Sequence, residues 1–191
     1  FQAIKTKYPD AELHYLINSH TYAVVAHHPY IDHFIFFTKS HEKSFFKLYQ
    51  LGRTIRQEKF DVVIDVYGKW SSNILSYLSK AKTRIAYYKW YTQLFYNFPI
   101  KRKKNTEHNL GLAYVHRMQL LTPLGIKLKK VFKPKIYFNN KELISSKTLL
   151  ELNGINTSKP ILMLNILGSD VTKTYPYYYM ARVIDFITKT V

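Results

Sequence analysis

Apolar residues at positions 1, 4 and 8 recur at helical spacing and stop at Pro9-Asp10, which predicts the last turns of a helix. Leu13, Tyr15 and Ile17 alternate with polar neighbours, so residues 11–18 are expected to form a strand. Between 21 and 37 a short apolar piece, a His-His-Pro break and a second strand at 33–37 follow. Phe45, Leu48, Gly52 and Ile55 trace one face of an amphipathic helix within 41–59. A strand at 61–66 comes next, then a helix from about Ser71 with Trp70, Ile74 and Leu78 on one side, then a strand at 83–88. This alternation predicts an α/β fold built on a parallel sheet with right-handed crossovers. Leu110, Tyr114, Met118 and Leu121 predict a further helix ending at Pro123-Leu124-Gly125, with a possible strand at 134–138 and a short helix at 141–152.

Near Ser158 the pattern restarts. Residues 160–167 (PILMLNIL) are continuously apolar, as expected of a strand covered on both faces. Gly168-Ser169 breaks that run, and Pro176 stands at a favoured first helical position. Met180, Val183, Ile184, Ile187 and Val191 then keep helical spacing. The expected organisation is a first domain over 1–157, including a linker helix, and the opening strand and helix of a second, incomplete domain over 158–191.

The chain has 191 residues and 47% apolar content, enough for a real core. Its net charge of +17 points to an anionic partner: nucleic acid, an anionic membrane surface or a phosphorylated substrate. It has no cysteine, which removes disulfides and thiolate chemistry from consideration. No apolar run approaches the roughly 20 residues of a membrane span, and no stretch reads as a signal peptide.

Candidate chemistry is sparse. Asp61 and Asp65 lie four apart on one predicted strand and share a face. They could be paired as acid and base; the preferred reading is that Asp65, near the carboxyl end of the strand, holds a loop by hydrogen bonds. His27, His28, His33 and His41 show neither helical i, i+4 spacing nor a cysteine partner, so no metal site is expected. Residues 87–98 (YYKWYTQLFYNF) hold seven aromatics, which suit a sugar- or lipid-contacting lip, a base-stacking platform or plain packing. Basic clusters stand at 101–104 (KRKK) and at Lys127, Lys129, Lys130, Lys133 and Lys135. Lys173 precedes the helix-opening proline by three residues and follows a Gly-Ser turn, so its ammonium and the helix N-terminus could converge on a phosphate.

Together, KYPDAELHYL (7–16), EKFDVVIDVYG (58–68) with Ser72, EHNL (107–110), LLTPLGI (120–126), and ILMLNILGS followed by KTYP resemble the ADP-heptose:lipopolysaccharide heptosyltransferase family. That resemblance implies the two-Rossmann-domain GT-B architecture, with the first domain on the acceptor side and the second binding the nucleotide sugar. It implies an inverting, metal-independent transfer of heptose or a related sugar from a nucleotide-sugar donor, ADP-heptose by expectation. The acceptor would be an anionic, lipid-linked inner-core saccharide at the cytoplasmic face of the membrane. No separate cofactor is implied. Lys173, with Ser169 and Gly168 in the same turn, would contact the donor phosphates, and Gly68 and Ser72 would shape the acceptor side.

Departures from the family pattern are specific. The family's catalytic aspartate follows a first strand that would lie upstream of Phe1, and the adenine- and sugar-reading loops would follow Val191. Residues 1–191 alone are therefore expected not to turn over. Lys69 directly follows Gly68, where the family places Lys-Ser later, so that lysine's role is not carried over; Tyr175 stands for the usual tryptophan. The competing reading is a basic, non-enzymatic module for nucleic acid or an anionic membrane surface, and a third is a degenerate relative kept as a scaffold. The order of strand, Gly-Ser turn, Lys-x-aromatic-Pro and helix favours the transferase, with no nucleic-acid partner.

Overall fold

Among the described residues five short strands form from the apolar runs, and every pairing between them is parallel. The computed structural model describes residues 1–104, 111–127, 132–165 and 168–190. They divide into two compact units, Phe1–Phe138 and Asn139–Val191.

In the first unit, helix α1 (Gln2–Lys7) turns Ala3 inward and leads to β1 (His14–Asn18). A 3-10 segment, Ser19–Val24, and a loop then reach β2 (His33–Phe37). Helices α2 (Lys39–Lys43) and α3 (Phe45–Gln57) return the chain to β3 (Val62–Asp65). Helix α4 (Trp70–Leu78) connects to β4 (Thr83–Tyr87), and a 3-10 segment, Trp90–Phe95, to β5 (Phe98–Ile100). Helix α5 (Leu112–Gln119) and a 3-10 turn, Thr122–Leu124, complete its regular structure among the described residues.

The strands make two sheets, β1–β2 and β3–β4–β5. His14 stands opposite His33 in the first, and Ile64 opposite Ile85 and Ile85 opposite Phe98 in the second. Among the described residues β1 and β3 each pair on one side only. Leu48 and Ile55 of α3 pack with Leu75 of α4 and, through Leu16, Ile35 and Phe37, on the first sheet. Ile85 and Tyr87 of β4 pack with Leu120 behind α5. A third cluster joins Ala3 of α1 to Leu121 and Ile126.

In the first unit several expectations change. The helix expected within 41–59 breaks at Ser44, which is extended (φ −128°, ψ 115°) and whose hydroxyl accepts the Lys47 N–H, a helix-capping role that serine favours over continuation. Residues 134–138 form no strand. Conversely β5 was not expected: it has three residues with Pro99 in the middle, and proline cannot donate to a ladder.

The second unit holds α6 (Asn140–Leu152), a 3-10 turn (Val171–Lys173) and α7 (Tyr177–Thr190). Asn139 and Glu142 close a reciprocal capping box: the Glu142 N–H donates to Asn139 Oδ1 at 2.8 Å and the Asn139 N–H to Glu142 Oε2 at 2.9 Å. The expected strand at 160–167 does not form over 160–165, and Ile166 and Leu167 lie outside the described residues. A strand needs a neighbour to satisfy its backbone, and no strand pairs with it among the described residues; Met163 is 89% exposed. Met180, Ile184 and Ile187 of α7 are half-buried; of the other residues of the expected stripe, Val183 is exposed and Val191 lies outside the described residues.

Candidate functional site: the turn after β3 and the Gly168–Lys173 turn

Val62, Val63 and Ile64 carry the chain as a strand to Asp65, where it turns sharply. Asp65 Oδ1 accepts the N–H groups of Tyr67 at 2.7 Å and Gly68 at 2.8 Å, which folds residues 65–68 into a tight turn. Gly68 sits in the left-handed region at φ +60°, where a side chain would be strained, and Lys89 Nζ donates to its carbonyl at 2.6 Å. Asp65 thus serves as the loop holder that the sequence suggested. Asp61 stands at the far, amino side of the strand.

Asp65 Oδ2 accepts the Tyr96 hydroxyl at 2.5 Å, and the same oxygen of Tyr96 lies 2.7 Å from Asn73 Oδ1. One phenol proton cannot serve two acceptors, and Asn73 Nδ2 is buried without a partner. Turning the Asn73 amide over makes Nδ2 a donor to Tyr96 Oη and leaves the phenol proton for Asp65, which removes the conflict between two acceptors. Burial, then the Asp65 charge and hydrogen bond, push the Tyr96 phenol well above its ordinary range.

Ser72 occupies the first turn of α4, where its hydroxyl accepts the Lys69 N–H at 3.0 Å and donates to the Lys69 carbonyl. Gly68 and Ser72 therefore flank the start of α4. Lys69 is exposed and sits 4.5 Å from the Tyr67 ring centroid. A cavity of about 310 Å³ opens beside this start, between residues His41, Glu42 and Phe45 on one side and Lys69, Trp70 and Ser71 on the other.

The aromatic stretch splits by role. Tyr87 and Tyr96 are buried, whereas Trp90 is 79% exposed and Tyr88, Tyr91 and Phe98 are exposed with it. Trp70 meets Phe95 edge to face at 5.8 Å. Cations interleave the rings: Lys101 lies 5.3 Å from Tyr88 and Arg102 4.1 Å from Tyr87. The result is a basic and aromatic rim next to the Gly68 turn. Of the second basic cluster, Lys129 and Lys130 lie outside the described residues, as does the EHNL stretch.

In the second unit, Gly168, Ser169 and Lys173 are gathered into one turn. Asp170 Oδ1 accepts the Thr172 N–H and hydroxyl, both at 2.8 Å, and the Gly168 N–H donates to Thr174 Oγ1 at 3.1 Å. A Cβ at position 168 would lie 2.4 Å from the Lys173 carbonyl oxygen, so only glycine permits this approach. Pro176 follows, and its carbonyl accepts the N–H groups of Tyr179 and Met180 as α7 begins. Lys173 is exposed two residues before Tyr175, itself 6.1 Å from Tyr179 ring to ring.

Sequence reasoning missed Tyr96, Asn73 and Lys89, whose roles depend on partners up to 31 residues away. It also missed a third grouping: Glu12, His14 and His33 converge at the amino ends of β1 and β2. His28 and His41 have local roles instead; His28 packs against Phe1, Tyr30 and Tyr137, and His41 accepts from the Thr38 N–H ahead of α2. Among the described residues no helix is long and apolar enough to cross a membrane.

Comparison with known proteins gives these features a context. The family model described as glycosyltransferase family 9 (heptosyltransferase) matches residues 48–190. A candidate glycosyltransferase of Haemophilus influenzae is 26% identical over 114 residues, covering 60% of this chain and 32% of that protein. The crystal structure of a family 9 glycosyl transferase from Veillonella parvula superposes with a TM-score of 0.82 at 19% identity, covering 97% of this chain and 53% of that one. The ADP-heptose lps heptosyltransferase II of E. coli superposes at 0.67 and 13% identity, covering 98% of this chain and 55% of that one. The chain thus spans about half the length of the solved structures it matches.

Proposed function

Because the chain belongs to glycosyltransferase family 9 (heptosyltransferase), we propose that it forms part of an enzyme moving a heptose or related sugar from a nucleotide-sugar donor, ADP-heptose, to an anionic, lipid-linked inner-core saccharide. The observation that supports the donor side is the tight Gly168–Lys173 turn, which brings the Gly168 backbone against Lys173, with Ser169 beside it in the chain, just ahead of α7. In this reading Lys173 and Ser169 meet the donor diphosphate, with the Gly168 N–H exchanging Thr174 for it, and the positive potential of the Lys173 ammonium stabilises it as it departs. The charge on the leaving group is met by the protein's own cation, so the transfer is read as metal-independent. Inversion follows if an acceptor hydroxyl, deprotonated by a general base, attacks the anomeric carbon opposite that diphosphate.

Gly68 and Ser72 shape the acceptor side in the same reading. The exposed rings and cations around them suit a saccharide carrying negative charge, and they suit peripheral contact with an anionic membrane on its cytoplasmic face. Titration with ADP, followed by amide chemical shifts, tests the donor assignment. Perturbations centred on 168–175 that disappear in Lys173→Ala are expected. Equal perturbation in the variant, or none in the native chain, overturns it.

A further inference from the structure

We propose that Glu12, His14 and His33 form a three-ligand site for a divalent transition metal of the zinc class, clamping the amino ends of β1 and β2. The three side chains come from two segments and meet through sheet register. His14 and His33 are directly opposite partners in the parallel ladder, so both rings stand on the same face, with centroids 4.6 Å apart. Glu12 lies two residues before His14 and points the same way. Glu12 Oε1 is 3.1 Å from His14 Nε2 and 2.8 Å from His33 Nε2, and the three ligand atoms all fall within 4.8 Å of one another.

That spacing is close to the separation of neighbouring ligands around a four-coordinate zinc ion with bonds of about 2.0–2.2 Å. Two imidazoles and one carboxylate make a nitrogen-rich set suited to zinc, cobalt, nickel or copper rather than to magnesium or calcium. Three protein ligands leave one position for water.

The ligands are held in place rather than merely near one another. The His14 ring is largely covered and meets Phe60 edge to face at 4.9 Å. The His33 N–H donates to the Leu13 carbonyl at 3.2 Å, and Asp32 Oδ2 accepts the Leu13 N–H at 2.7 Å, so the chain on either side of the two histidines is cross-linked. Lys5 pairs with Asp32 at 2.8 Å, which turns that carboxylate to an ammonium and leaves Glu12 as the acid facing the rings. Glu12 and His33 are half or more exposed, so an ion can enter.

Position decides the role. Ligands of open parallel sheets bind beyond the carboxyl ends of the strands, and these residues stand at the opposite end. The site is therefore structural or regulatory, and the transfer reaction need not pass through it.

Calorimetric titration of the 191-residue chain with Zn²⁺, and with Co²⁺ read by its visible absorption, tests the assignment. One saturable ion per chain is expected, with no comparable uptake of Mg²⁺. Glu12→Gln and His33→Ala, both at exposed side chains, should each weaken Zn²⁺ binding by ~10-fold or more, the scale that loss of even an outer partner costs, while leaving the far-ultraviolet circular dichroism of the apo chain unchanged. Absence of saturable Zn²⁺ binding in the native chain would overturn the proposal. Undiminished binding in Glu12→Gln/His33→Ala would do the same, by locating the ion at other histidines.

Discussion

Tyr96 donates its hydroxyl proton to Asp65 across 31 residues of sequence, at 2.5 Å and away from water. The carboxylate that shapes the turn after β3 is thereby fixed from β4's far side, by a residue just ahead of β5. Asp65 spends one oxygen on the turn's own N–H groups and the other on this tie. The site turn and the segment leading into β5 are consequently tied to each other.

Tyr96→Phe removes that tie and leaves Asp65 Oδ2 and Asn73 short of a partner. A loss of about 1–3 kcal/mol in unfolding free energy by urea titration is expected, the scale of a buried polar group left unsatisfied. An unchanged midpoint would show that the hydroxyl contributes nothing.

The same phenol sets an alkaline limit. Its folded pKa is raised above the ordinary 10.0, so the folded state holds the proton more tightly than the unfolded state. The corresponding stability is complete below about pH 10 and declines as pH rises beyond it. The stability of Tyr96→Phe, measured from pH 8 to 11, should fall less steeply than that of the native chain.

Gly68→Ala forces a side chain into the left-handed region and brings its Cβ within 3.1 Å of Lys89 Nζ, which must then give by a few tenths of an ångström. A cost of roughly 1–2 kcal/mol follows from the backbone conformation alone. Gly68→Asn should cost less, since asparagine tolerates that region. Thermal melts of the two variants give the ranking, and equal melting temperatures would contradict it.

Gly168→Ala places a methyl against the Lys173 carbonyl, so the turn must open. ADP-induced shifts at 168–175 should be lost, while the unfolding of the first unit stays as in the native chain. Retained ADP response would mean that the turn does not read the diphosphate.

Both tryptophans of the chain, Trp70 at 66% and Trp90 at 79% exposure, belong to the basic rim. Vesicles containing anionic lipid should therefore shift their emission to the blue at low salt, and added salt should reverse the shift. Neutral vesicles should have little effect. No shift at low salt would remove membrane contact from the functional reading.

Helices and parallel strands were legible where one periodicity dominated: Leu48, Gly52 and Ile55 form the buried face of α3 as expected. The face of α4 was not: Trp70 of the expected stripe is exposed, and Asn73, Leu75 and Ser76 are the buried residues, because the sheet and α3 cover the neighbouring side of that helix. The loop role of Asp65 was legible too, because an acid ahead of a Gly-containing turn has local N–H groups to accept from. Illegible features depend on distance. Tyr96 could not be matched to Asp65 without the order of β3, β4 and β5. His14 and His33 stand at the starts of two expected strands, and only their register shows that the rings meet. The apolar run at 160–165 misleads for the opposite reason. Its composition suits a covered strand, but a strand exists only with its neighbours, and none pairs with it among the described residues.

Among the described residues four strands, β1, β2, β3 and β5, pair on one side only, which bears on how this polypeptide behaves in a test tube. Each offers a row of backbone donors and acceptors to any copy that approaches, and β1 (HYLIN) carries no lysine to discourage pairing. Mutual repulsion at a net charge of +17 keeps copies apart while salt is low. Salt screens that repulsion without covering the edges. Dilute buffer should therefore keep this chain clear in solution, and physiological or higher ionic strength should turn it cloudy, the reverse of the habit of proteins that salt helps to dissolve.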